Sequence, residues 1–249
     1  MIEEAFVNGD SIIHRLDPRV KTIVACLFSI VVATSDRFVA LIPAIFLSIT
    51  FICLARLPIK KVCSRLLLVN GLILFLWIFL PFTYQGEPLF VLGPLIATRE
   101  GIFYSTAITI KSNAIILALM SLVATMSIFT MGRVMSNLRV PARIVFLFFF
   151  TYRYIHVIHV EYLRLMKAIK IRGFRPGTDM HTYRTYAYLV GMLLVKSHDR
   201  AERVRSAMLC RGFKGKFYEL SEFSFQFSDL IIMFLMLLAV TIILLLQWY

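Results

Sequence analysis

The sequence predicts an all-α, polytopic integral membrane protein. Three observations predict it. Apolar residues make up 59% of the chain, against about 45–50% in soluble globular proteins. Charged residues make up only 16%, where about 25% is usual. The apolar residues also fall into runs that approach the roughly 17–25 residues a helix needs to cross a hydrocarbon core. The mean hydropathy of +0.81 agrees. The net charge is +13, from 27 basic and 14 acidic residues. With 22 Phe in so aliphatic a chain, this basic excess belongs on one membrane face rather than against nucleic acid.

The opening residues Met1-Ile2-Glu3-Glu4 are acidic, and the first apolar run begins near Thr22. That makes a poor secretory signal, although Ala33-Thr34-Ser35 is similar to a cleavage site. Asp17 before Pro18 predicts a capped helix start, with proline at the first helical position and Arg19 following. Thr22–Ser35 and Phe38–Leu54, split by Asp36-Arg37, predict a helical hairpin with a short first arm. Leu66–Thr83 is the third span and ends at Pro81. Ile102–Thr130 exceeds one perpendicular crossing, which predicts tilt or a part outside the bilayer. Leu230–Leu246 closes the chain, with Gln247-Trp248-Tyr249 as an interfacial anchor.

Basic residues alternate between connections. Arg15, Arg19 and Lys21 precede the first run; Arg56, Lys60, Lys61 and Arg65 follow the second; Arg133, Arg139 and Arg143 follow the fourth. The connection Tyr84–Glu100 has Arg99 against Glu87 and Glu100. The positive-inside rule then gives about five transmembrane helices, a cytoplasmic N-terminus and an external C-terminus. Residues 131–220 carry 17 Lys/Arg against 5 Asp/Glu. Their apolar runs, Ile144–Thr151 and Tyr186–Val195, are short for spans; as an added hairpin they would make seven crossings without changing that parity. The predicted organisation is a four-helix membrane bundle over 1–130, a basic cytoplasmic or inner-leaflet region over 131–220, and a closing membrane helix over 221–249.

Most chemistries are excluded residue by residue. The four cysteines, Cys26, Cys53, Cys63 and Cys210, form no CxxC pair, so neither a disulfide framework nor a zinc site is predicted. His156 and His159 share a helix face, but no third ligand follows at a suitable spacing. No acid lies between Asp36 and Glu87 or between Glu100 and Glu161, so the spans lack carboxylates for Mg²⁺-phosphate binding or proton relay. Lys111 is the clear intramembrane charge, read as snorkelling or as a partner contact. Gly215-Lys216 lacks the upstream glycine of a phosphate loop.

The basic region contains a repeat at an offset of 39 residues. Ala168, Arg172, Gly173 and Phe174 recur as Ala207, Arg211, Gly212 and Phe213, with Arg175 matched by Lys214 and Arg164 by Arg203. Each copy ends a proline-free stretch of about 30 residues, a helix of roughly 45 Å. Glycine accepts the left-handed conformation that closes a helix, and Pro176 supports the first stop. Arg172 and Arg211 thus fall at the negative ends of two helix dipoles. They read either as favourable C-terminal charges or as two guanidinium forks presented to partner carboxylates, with Phe174 and Phe213 as apolar anchors. The duplication favours the second reading. The methionines, Met166, Met180, Met192 and Met208 among them, suit either a sliding surface or an ordinary core.

The two Arg-Gly helix ends, with His14-Arg15-Leu16-Asp17-Pro18-Arg19-Val20-Lys21 near the start, resemble the transmembrane T component (EcfT) of energy-coupling-factor (ECF) transporters. The stretches Tyr152–His156 and Arg172-Gly173-Phe174 are most similar to the cobalt/nickel branch, CbiQ. The resemblance implies a scaffold with no catalytic residue, no metal site and no cofactor of its own. ATP and Mg²⁺ would be bound by two partner ABC-type ATPases. A substrate-binding membrane S component (CbiM-like), a small CbiN-like membrane subunit and membrane lipid complete the implied partners. The implied setting is a prokaryotic inner membrane. It assigns ATPase docking to Ile171, Arg172, Gly173 and Cys210, Arg211, Gly212, supported by Phe174 and Phe213, and the family's N-terminal motif to Asp17, Pro18 and Arg19. The family unit is Ala-Arg-Gly-like, so Ile171 and Cys210 depart from it. The alternative read from the residues is a membrane enzyme whose arginines grip a lipid or phosphate-bearing substrate.

Overall fold

The computed structural model describes residues 6–7, 9–35, 37–84, 88–92, 95–214 and 227–248. Met1–Glu4, Asp36, Glu87, Gly215-Lys216 and Tyr249, to which expectations attach above, lie outside the described residues. The elements in order are α1 (Ile12–Arg15), α2 (Pro18–Thr34), α3 (Phe38–Ala55), α4 (Ile59–Thr83), β1 (Pro88–Leu92), β2 (Leu95–Thr98), α5 (Arg99–Leu122), α6 (Ile128–Asn137), α7 (Ala142–Ile171), α8 (Met180–Cys210) and α9 (Phe227–Trp248). Strands β1 and β2 pair antiparallel where the sequence suggested only a connection. The chain divides into two compact units, Glu4–Val134 with Phe223–Tyr249, and Met135–Glu222 with Met1–Glu3.

In the first unit α5 is central, packing on α2, α3 and α4, while α9 packs on α2 and α3. Small residues permit the α3–α5 approach: Ala40, Ala44 and Ser48 on one helix and Ala114, Ala118 and Ser121 on the other are fully buried. Such surfaces let backbones approach where the hydrophobic effect gives helices no net reason to pair. Ser48 Oγ donates to the Ala114 carbonyl (2.8 Å), and the Asn70 and Asn113 amides bond reciprocally from α4 to α5. The α2 C-terminus also receives partners. Lys111 Nζ donates to the Ala33 carbonyl (3.4 Å), and Gln247 Nε2 to the Thr34 carbonyl (2.8 Å). Lys111, read from sequence as snorkelling or bound to a partner subunit, therefore meets carbonyls that a helix end leaves open.

Asp17 caps α2 as expected, its Oδ1 accepting from the Arg19 N–H at 2.8 Å, with Pro18 at the first position. Lys21, 1% exposed, donates to the His14 carbonyl. Three boundaries differ from expectation. Helix α4 begins at Ile59, so Lys60, Lys61 and Arg65 lie on its first turns rather than in a loop. The run Ile102–Thr130 is two helices, because Ser127 starts α6 by accepting from the Thr130 N–H at 3.1 Å. Among the described residues five helices are long and apolar enough to cross a membrane: α3, α4, α5, α7 and Asp229–Trp248 of α9. The number agrees with the sequence, but by length and composition alone α7 qualifies and α2, the helix of the first expected run, does not. Helix α2 has only 17 residues, whereas α7 continues past Arg153 as one helix of 30.

Candidate functional site

The second unit holds the two Arg-Gly helix ends. Helices α7 and α8, of 30 and 31 residues, each correspond to roughly 45 Å at 1.5 Å per residue. They run antiparallel along each other. Phe174, just past α7, packs edge-on to Tyr186 of α8 (5.9 Å), Glu161 pairs with Lys196, and Phe146 of α7 meets Phe213, just past α8 (6.4 Å). Arg172 therefore lies at the turn joining the two helices, and Arg211 at the opposite end of the pair.

Both ends are closed by the same backbone device. At the first, the Gly173 N–H donates to the Lys170 carbonyl (3.0 Å) and the Phe174 N–H to the Ile169 carbonyl (3.2 Å). At the second, the Gly212 N–H donates to the Leu209 carbonyl (2.9 Å) and the Phe213 N–H to the Met208 carbonyl (3.1 Å). This is the Schellman pattern, which needs a left-handed residue just after the cap; Gly173 (φ 84) and Gly212 (φ 76) supply it. Arg172 and Arg211 occupy the cap position with nearly equal geometry, φ −76 ψ 11 and φ −89 ψ 10. Both arginines, with Ile171 and Cys210, are exposed, and Phe174 and Phe213 are half-buried. Each phenylalanine turns one side toward the neighbouring helix, Phe174 toward Tyr186 and Phe213 toward Phe146.

Between the arms lies a cavity of about 730 Å³ whose wall includes Phe150, Val157, Leu193, Val204 and Met208. Glu161 stands on its lining and accepts from Lys196 (2.5 Å) and from Arg164 (3.3 Å), with Arg200 also acting on it electrostatically. This cluster is not among the sites the sequence predicts. Its signal was present: Glu161 is the sole acid of α7, and a lone acid in an apolar helix is normally paired. His156 and His159 are exposed, and among the described residues no group of three or more His, Cys, Asp or Glu is gathered to hold a metal ion. Asp17, Pro18 and Arg19 lie in the other unit, at the start of α2.

The model of the CbiQ family, described as cobalt transport protein, matches residues 9–222. The chain belongs to the CbiQ family. Curated relatives agree, each named energy-coupling factor transporter transmembrane protein EcfT. That of Thermosediminibacter oceani is 25% identical over 221 residues, covering 84% of this chain and 83% of the relative. That of Bacillus subtilis is 26% identical over 226 residues, covering 86% and 85%. That of Leuconostoc gelidum subsp. gasicomitatum is 28% identical over 220 residues, covering 84% and 82%. As a CbiQ-family protein the chain is the multi-pass transmembrane component of an energy-coupling-factor transporter, a non-catalytic subunit. The membrane-enzyme alternative is thereby set aside.

Proposed function

We propose that this chain couples two cytoplasmic ABC-type ATPases to a membrane protein that captures a transition-metal ion, cobalt or nickel, for import. One ATPase docks at Ile171-Arg172-Gly173 and the other at Cys210-Arg211-Gly212. What carries this reading is the recurrence of one exposed, Schellman-closed Arg-Gly turn at opposite ends of a rigid antiparallel pair. A guanidinium fixed at a helix C-terminus presents parallel donors to a carboxylate on a partner. Two such forks on stiff arms transmit a displacement of the ATPases to whatever rests on the arms. ATP and Mg²⁺ belong to the ATPases, while the cargo site belongs to a CbiM-like S component, with a CbiN-like subunit beside it.

In this reading α2, α3, α4, α5 and α9, within 1–130 and 221–249, anchor the complex in the inner membrane, while α7 and α8, within 131–220, form the coupling region at its cytoplasmic face, the side on which the N-terminus also lies. The test is co-expression with the ATPases and S component, followed by co-purification and uptake of labelled cobalt or nickel. Replacing both Arg172 and Arg211 by Ala removes two charge-assisted contacts worth about 1.5–3 kcal/mol each. The variant is expected in the membrane but without bound ATPase and without uptake. Normal uptake by it would reject the docking assignment, and uptake of neither metal would reject the cargo.

A further inference from the structure

Helices α7 and α8 are both cationic. Helix α7 carries Arg143, Arg153, Arg164, Lys167 and Lys170 with one acid; α8 carries Arg184, Lys196, Arg200, Arg203 and Arg205 with two. Two like-charged rods lying alongside each other repel, more strongly where water is excluded. Between them the cavity leaves part of their length without direct packing, and aromatic rings bridge them toward either end. Glu161 sits among Arg164, Lys196 and Arg200, with its side chain only 12% exposed. The Lys196 side chain is 42% exposed, so the pair joins a shielded carboxylate to a cation that still reaches water.

We propose that Glu161 is a positioning residue for coupling: by holding Lys196 across the cleft it sets the spacing of α7 and α8, and hence the relative placement of the Arg172 and Arg211 ends. The proposal rests on the docking reading above. Without the carboxylate, Lys196 and Arg200 of α8 lose the anion that α7 sets against them beside an apolar cavity, and the arms splay or slide. The two tips then present themselves to their partners over a spread of distances rather than one. The carboxylate acts through Lys196, so the two residues form one functional unit.

The experiment uses the full transporter in proteoliposomes, with Glu161→Gln, Lys196→Gln and the double variant. Three quantities are measured: bound ATPase, cargo imported per ATP hydrolysed, and the distance between spin labels carried on unnatural amino acids at positions 170 and 214, with the four native cysteines kept. Each single variant is expected to keep both ATPases bound, to import about tenfold less per ATP, as interacting neighbours allow, and to broaden the label distance. The double variant is expected to lose no more than either single one. Unchanged coupling, an unchanged label distance, or losses that multiply in the double variant would each overturn the proposal. Loss of assembled complex in both single variants would also overturn it, by making the pair a requirement for folding. If only Glu161→Gln fails to fold, the half-exposed Lys196→Gln carries the test. A failure of docking is seen separately, as ATPase that stays bound when Arg172 and Arg211 are replaced.

Discussion

Gly173 and Gly212 occupy positions where only backbone conformation matters. Nothing lies within 4 Å of the place a Cβ would take at either glycine, so a side chain there meets no clash. Yet their φ values of 84 and 76 put an L-residue in a conformation costing about 1–2 kcal/mol. Gly173→Ala should therefore fray the last turn of α7, and the Phe174 amide should exchange with solvent about tenfold faster, 1.4 kcal/mol being a factor of ten in an opening equilibrium. Gly191, in the middle of α8 with equally open surroundings, is the control, since Ala there should stabilise by up to about 1 kcal/mol. Equal effects at the two sites would contradict the closure described. These glycines were legible in the sequence because left-handed backbone leaves a compositional mark. The Glu161–Lys196 pair was not legible to the same degree. A charge reveals that it needs a partner, but the partner 35 residues away is chosen by how two helices pack.

At the scale of elements, ends proved harder to read than existence. The start of α2 was legible because Asp17-Pro18 is a local device. The break at Ser127 is not legible because the apolar run continues straight through it, and a hydroxyl capping a helix looks in sequence like any serine in a span. The start of α4 is hidden for the converse reason: Lys60, Lys61 and Arg65 read as a loop, although charges on a helix can lie outside the hydrocarbon. The cap at α2 offers a graded test. Asp17 accepts from the Arg19 N–H, and with Asp229 it also acts electrostatically on the buried Lys21. Asp17→Asn keeps an acceptor and removes the charge, whereas Asp17→Ala removes both. The alanine variant should be less stable than the asparagine variant by about 1 kcal/mol, the worth of a side-chain cap. In thermal unfolding of the detergent-solubilised protein this corresponds to about 2–4 °C. Identical midpoints would mean that the cap contributes nothing and that Asp17 acts through its charge alone.

At the scale of the whole molecule, orientation and docking make one joint prediction. Cys63 lies among Lys60, Lys61 and Arg65 on the first turns of α4, and Cys210 adjoins Arg211; both are exposed. Lysine and arginine near membrane segments hold those segments to the cytoplasmic side, so both thiols are expected to face the cytoplasm. A membrane-impermeant maleimide should label Cys63 and Cys210 in inverted vesicles and neither in right-side-out vesicles. The two then diverge when the complex forms. Cys210 belongs to one proposed docking unit, so bound ATPase should slow its labelling, while Cys63 should react at its former rate. Replacing Arg211 by Ala should restore Cys210 labelling in the presence of ATPase, and replacing Arg172, at the far end of the helix pair, should not. Such a one-sided response follows from the antiparallel arrangement, because distant sites without shared contacts act independently. Labelling of Cys210 from the outside would place the arginine out of reach of any ATP-driven partner, and the coupling function would then require a different surface.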